Sequence, residues 1–160
     1  MRMWRSSNRR GSFRDDESGV TVVEFAIMLP VLILLVSGMV EVGRAYVQAI
    51  AVQKGVRAGA LFAARADTPL SAVDKQRAEN LVRTGSVDGS GAYLVSGFGK
   101  AGANVDVATI GTFTVGEQDL PVIRVTAQVP FDPVFPNMFH YLGFGSHVIT
   151  VSHEQAYVGD

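Results

Sequence analysis

Hydrophobic residues follow three patterns along this chain. From Val20 to Val40 they run almost unbroken, VTVVEFAIMLPVLILLVSGMV, and Glu24 is the one charged residue in the run. At about 1.5 Å rise per residue, a helix of that length crosses a hydrocarbon core. From Glu41 to Asp67 the apolar residues become spaced. Val42, Tyr46, Ala49, Val52, Val56, Ala60 and Ala63 recur at helical intervals with no proline between them, so the spacing predicts that the same helix continues beyond the membrane. Further on the period becomes two, most clearly where Ile123, Val125, Ala127 and Val129 alternate with Arg124, Thr126 and Gln128. That is the pattern of a half-buried antiparallel strand.

Breakers and caps divide the rest. Thr68-Pro69 ends the long helix, and Ser71 is placed to cap a short helix running to Val82 or Arg83. The glycine-rich stretch after it reads as loop, with one short strand around Tyr93 to Val95. Strands are predicted at Asn104 to Ile110, Pro121 to Val129 and Val148 to Tyr157. The expected architecture is α+β: a long N-terminal helix packed with a short helix and a small antiparallel sheet. Its parts are a leader (1–19), a transmembrane segment (20–40), a helical continuation (41–67) and a small α+β domain (68–160).

Two features of the long helix have physical consequences. Pro30 removes a backbone donor and clashes with the carbonyl four residues back, so a kink or local melting is expected near Ala26. Ala51, Gly55, Gly59 and Ala63 form a ridge of small residues every four positions, including a GxxxG at Gly55 to Gly59. Helical glycines cost about 1 kcal/mol each, which calls for a packing reason. Packing under the protein's own sheet explains them more simply than contact between molecules. Between the last two strands, Phe131, Phe135, Phe139, Tyr141 and Phe144 crowd among prolines and glycines. They either complete the core by folding over the sheet edge or form an interaction patch.

Charge and composition narrow the function. A net charge of -1 with 18% charged residues offers no basic field for nucleic acid, and with no cysteine there is neither a disulfide nor a thiolate site. No catalytic residue, metal site or cofactor is indicated. His140, His147 and His153 lack the spacing of a zinc-protease helix, and no nucleophile elbow, phosphate loop or calcium loop occurs. Before the apolar run stand Arg2, Arg5, Arg9, Arg10 and Arg14, against Arg44, Lys54 and Arg57 after it, which favours a cytoplasmic N-terminus. A secretory signal peptide is the rival reading. The run is longer than an ordinary apolar signal core, however, and no small-x-small site follows Val40.

Glu24 is the anomaly. A carboxylate at the centre of a spanning helix costs roughly 2.5–3.5 kcal/mol on insertion scales, so a partner is expected. If the chain were cut after Gly19, the new amine of Val20 would lie at the i,i+4 spacing where opposite charges meet. The acidic residues Asp15, Asp16 and Glu17 before Ser18-Gly19 suit a helix start as well as a junction presented to a protease.

These residues carry a resemblance. A short basic leader followed by Gly19, Val20-Thr21-Val22-Val23, Glu24 and Phe25 resembles the prepilin junction of the Flp type IVb pilus system. The string continuing through Pro30 to Glu41-Val42-Gly43-Arg44-Ala45-Tyr46 is similar to TadE-like proteins, pseudopilins or minor pilins of tight-adherence secretion systems. The resemblance spans about Gly19 to Ala66; beyond it only the strand-rich pattern and Glu154 fit loosely.

It implies a structural, non-enzymatic subunit of a Flp/Tad-type pilus. A prepilin peptidase would process it at Gly19-Val20, leaving a single-pass inner-membrane protein with its C-terminal domain in the periplasm, and it could then enter a surface pilus. Its partners would be the inner membrane, the peptidase, other pilins and pseudopilins, and the Tad assembly machinery. Glu24 would answer the Val20 amine of its own chain or a neighbour, and Pro30, Gly55 and Gly59 would belong to the assembly helix. The chain is longer than major Flp pilins and too short for a TadG-like protein, while TadE-like and TadF-like roles stay open. The alternative reading is a membrane-anchored periplasmic module whose aromatic segment, Phe131 to Phe144, binds a ligand or partner.

Overall fold

The computed structural model describes residues 17–136 and 147–158, with the side chains of Glu17 and Ser18 excepted. The arginine leader with Asp15 and Asp16, and the aromatic positions Phe139, Tyr141 and Phe144 with His140, lie outside them. The chain divides into two units, with the boundary between Met39 and Val40.

The first unit is helix. Helix α1 spans Glu17–Ala63 and passes through Pro30 without interruption. The melting expected near Ala26 therefore does not occur: losing one donor leaves the bonds of the neighbouring turns in place. Up to Met39, the large hydrophobic side chains on every face are exposed, none below 41%. An apolar helix that buries none of its faces among the described residues needs lipid or other helices around it. Its most apolar window has a mean hydropathy of 2.5, and the helix is long enough to cross a membrane.

The second unit closes a core. Helix α1 ends at Ala63, four residues before Asp67, and tighter turns follow, with Arg65 N–H donating to Phe62 O at 3.1 Å and Ala66 N–H to Ala63 O at 3.3 Å. Helix α2 spans Ala72–Thr84. It is capped as expected by Ser71, whose Oγ accepts from Asp74 N–H at 3.1 Å. It ends at Gly85, whose left-handed φ of 78° lets its N–H reach Leu81 O. Tyr93 to Val95 is not a strand. Leu94 N–H donates to Arg83 O at 2.8 Å, which ties this segment to the end of α2 and commits its backbone there. A 3-10 turn at Ser96–Gly99 follows. A Cβ on Gly97 would meet Pro130 O at 2.2 Å, so only glycine permits that approach to the sheet.

Three antiparallel strands form a sheet in the order β1-β2-β3: β1 (Asn104–Val115), β2 (Gln118–Pro130) and β3 (Val148–Ala156). The first two extend past their predicted ends because Val115 pairs with Gln118 around a two-residue turn, Gly116-Glu117, with Gly116 at φ 64°. A positive φ at the first turn position suits a hairpin. The alternation predicted for β2 is realised, with Ile123, Val125, Ala127 and Val129 all buried. They share one cluster with Val52, Val56, Ala60 and Ala63 of α1, Ala78 and Val82 of α2, and Phe98. Opposite Val125, His153 is half-buried on the core-side alternation of β3. Arg124 and Glu154 are also cross-strand partners, but on the exposed positions, where Arg124 Nη2 lies 2.6 Å from Glu154 Oε1. Such a surface pair contributes about 1 kcal/mol or less.

The partner of the small-residue ridge is α2 rather than the sheet. A Cβ on Gly59 would lie 2.6 Å from Val82 Cγ2 and 3.1 Å from Ala78 O, and one on Gly55 would lie 2.7 Å from Val82 O. The two glycines let α2 sit directly against α1. That contact occupies the GxxxG face within the chain.

Candidate functional site

The residues predicted for processing and assembly separate into two places. Gly19, Val20, Glu24 and Phe25 all lie in the first three turns of α1 and all are exposed. Nothing comes within 4 Å of a Cβ built on Gly19. The Gly19-Val20 bond sits in the first turn, where the leading amides have no intrahelical acceptor and the backbone opens most easily. Glu24 makes no hydrogen bond or ion pair among the described residues; Thr21, on the adjacent turn, does make a contact. Pro30 is further along the same exposed helix. Gly55 and Gly59 belong elsewhere, beneath α2.

The buried charge of this helix is a different glutamate. Glu41 is fully buried, and its Oε1 accepts from Phe135 N–H at 2.7 Å. Among the described residues Oε2 is buried without a donor, and so is Oε1 of Gln48, two turns on. A buried acceptor left unpaired costs about 1–3 kcal/mol, so this arrangement is not one that stability alone would produce. Sequence reasoning missed it by following apolar residues. Val42 and Tyr46, expected on the core stripe, are about 70% exposed, and the buried stripe instead runs Glu41, Gln48, Val52, Val56. Counting back from Val52 by four and seven gives 48 and 45, and three or four more gives 41 or 42. That count would have found the face, at the price of accepting polar residues on it.

The described residues that follow β2, 131–136, bring the Phe135 amide to Glu41. Arg44 Nη2 donates to Asp132 O at 3.2 Å, and Phe131 N–H donates to His147 O at 2.8 Å. The Asp132 carboxylate receives Ser96 Oγ–H at 2.8 Å on one oxygen and the Lys100 ammonium on the other. The Lys100 and Ser96 hydrogen bonds hold this carboxyl below the usual carboxylate range. Residues 131–135 are thus tied to α1 through Glu41 and Arg44, to the 3-10 turn through Ser96, and to His147 just before β3. Beside them, Val40, Gly43, Val47 and Gln48 of α1 form an apolar groove with Leu94 and Val95, with a volume of about 450 Å³.

Ser96, Lys100 and Asp132 bring a hydroxyl, an amine and a carboxylate together from distant parts of the chain. The hydroxyl donates to the carboxylate and the ammonium neutralises it, which is the arrangement of a loop clasp. Among the described residues no group of three His, Asp or Glu side chains is placed to hold a metal ion.

Comparison with known proteins bears on the helix. A family model described as TadE-like protein matches residues 19–61, wholly within α1. The match starts at Gly19, the residue before the candidate junction, and takes in Glu24, Pro30, Glu41, Gly55 and Gly59. No curated protein and no solved structure shows significant similarity to the chain.

Proposed function

From the TadE-like character of α1, which connects the chain with the Tad pilus system, we propose that the protein is a structural, non-enzymatic pseudopilin needed to assemble a Flp/Tad-type pilus. It is matured by a prepilin peptidase cutting after Gly19. The mature protein is held in the inner membrane by Val20 to Val40, with the C-terminal domain in the periplasm, and it works beside other pilins and the assembly machinery. The observation that carries this reading is the family match beginning at the junction, on a helix whose apolar side chains up to Met39 are exposed on every face.

The charge logic of Glu24 supports the same reading. An exposed carboxyl on an apolar helix lacks the partner that would make its place in lipid tolerable. Cutting after Gly19 creates an amine four residues away, on the same chain or on a neighbour packed in register. Pairing two such charges offsets their desolvation without a large net gain, so its use is in choosing register.

The experiment is intact-mass or N-terminal sequencing of the membrane form from cells with and without the peptidase. The mature chain begins at Val20 only where the peptidase is present; a chain that always begins at Met1 refutes the processing step. Glu24→Ala is expected to be cut normally but to impair pilus assembly, and normal pili from that variant would remove the role assigned to the charge.

A further inference from the structure

The hairpin of β1 and β2 reaches beyond β3, and its outer strand is an open edge. β3 pairs with β2 only from Val122 to Pro130, whereas β1 follows β2 to the turn, and among the described residues no strand lies beyond β1. Before the register shift at Thr109/Gly111, β1 sends Val105 and Val107 into the core; after it, Gly111 pairs with Val122 and Phe113 with Leu120, on the face away from Ile123. The shift thus turns Phe113 and Val115 outward, 57% and 53% exposed, where unbroken alternation would have aimed them at the core side. The surface there is open: a Cβ on Gly111 would meet nothing within 4 Å. From Val107 to Val115 there is neither a charged residue nor a proline, two of the usual devices that keep an open edge from pairing.

We infer that this edge pairs antiparallel with β1 of a second copy of the chain, about a twofold axis at Phe113. The hydrogen-bond phase of the hairpin fixes which groups are free. Pro121 has no N–H, and its carbonyl accepts from Tyr157 N–H at 2.8 Å, on the side away from β1. Thr112, its cross-strand partner, therefore turns its own N–H and C=O away from β2, and Thr114, two residues on, does the same. An antiparallel strand must set such outward residues opposite one another. A twofold at Phe113 does so, placing Thr112 against Thr114 of the second copy and Thr114 against Thr112. Phe113 then meets its own counterpart at the closely spaced, non-hydrogen-bonded position, an aromatic pair beside Leu120 and Val122 of both copies. A twofold at Thr112 would instead bring Thr114 against Ile110, where the register is irregular. The occupant is a second copy because a twofold sets each residue against its own segment, which like charges would oppose and this uncharged stretch permits. One contact covers the outward apolar side chains and satisfies the free backbone groups, and two three-stranded sheets become continuous.

The inference goes beyond the pilus reading and does not rest on it: a chain left uncut at Gly19 can still pair, and a correctly cut one can fail to. The chain has no cysteine, so single cysteines report the register in the full-length protein in mild detergent. Under mild oxidation Phe113→Cys should be trapped as a covalent dimer, because facing residues at a non-hydrogen-bonded position lie within disulfide reach. Val115→Cys should not, since its counterpart lies four residues along the facing strand, about 13 Å off. Thr150→Cys, exposed on β3, controls for chance collision. Amide exchange gives a second reading. The Thr112 and Thr114 amides should exchange about tenfold more slowly at high protein concentration than at low, the effect of one added hydrogen bond each. Phe113→Lys, which sets like charges face to face at an exposed site, should remove that protection. Cross-linking of Phe113→Cys no greater than that of Val115→Cys or Thr150→Cys would overturn the pairing. So would Thr112 and Thr114 amides that exchange fast at every concentration, or that stay equally protected in Phe113→Lys.

Discussion

Glu24 and Glu41 sit seventeen positions apart on one helix and pose opposite problems. Glu24 is exposed among exposed apolar side chains; Glu41 is sealed inside a folded unit and hydrogen-bonded to a distant loop. The first region, 17–39, buries little of its apolar surface among the described residues, its large hydrophobic side chains being at least 41% exposed. The second, described over residues 40–136 and 147–158, buries its own core. A charge in the first is therefore a statement about what surrounds the chain, and a charge in the second about how the chain folds.

The largest test of that contrast is a pair of truncations. Ile123→Ala removes a side chain only 1% exposed and should destabilise the domain by about 2–4 kcal/mol, the range for large-to-small changes in a core. Leu32→Ala, at a half-exposed site, should leave domain stability in detergent unchanged within about 0.5 kcal/mol. Urea unfolding of the full-length protein in mild detergent, followed by circular dichroism, measures both. A comparable loss from Leu32→Ala would mean that the apolar region contributes to the domain's core after all.

Glu41 should show a smaller, more specific effect. Glu41→Ala leaves Phe135 N–H without its acceptor, at a cost of about 1–3 kcal/mol. Glu41→Gln retains a carbonyl oxygen for that bond and should cost about 1 kcal/mol or less. Hydrogen exchange at the Phe135 amide distinguishes the two: strongly accelerated in the alanine variant, near wild type in the glutamine variant. Equal protection in all three proteins would show that the bond does not hold the loop.

How much of this was legible in the residues follows the same division. The apolar run, the cap at Ser71 and the alternation from Ile123 to Val129 are local patterns, and each reappears where its spacing put it. The resemblance from Gly19 to Ala66 likewise rested on contiguous residues, and the family match covers 19–61 of that stretch. What could not be read depended on distant partners. The burial of Glu41 depends on a contact with Phe135 some ninety positions away, and Gln48 faces a groove shared with Leu94 and Val95, so following apolar residues led to Val42 and Tyr46 instead. Gly55 and Gly59 signalled close packing correctly as chemistry, but the choice between sheet, α2 and another molecule lies in tertiary placement. The hairpin extension was missed because Gly111 to Val115 is exposed on both faces, which leaves no alternation to detect.

The mildest perturbation concerns the clasp at Asp132, whose side chain is 32% exposed. Its carboxyl is held below the usual range, first by the Lys100 hydrogen bond and then by that of Ser96. A group with a depressed folded-state pKa stabilises fully above its unfolded value, near 3.9, and loses that contribution as the pH falls through the lower folded value. Wild type should therefore exceed Asp132→Asn in stability by a constant margin of about 1 kcal/mol or less from neutrality down to about pH 5. The margin should then shrink in more acidic solution. Because Arg44 binds the backbone carbonyl of Asp132 rather than its carboxylate, that attachment should survive the substitution. Denaturant midpoints of the two proteins across this pH series measure the margin, and a gap that stays constant into acid would show that the carboxylate is not what fastens the loop.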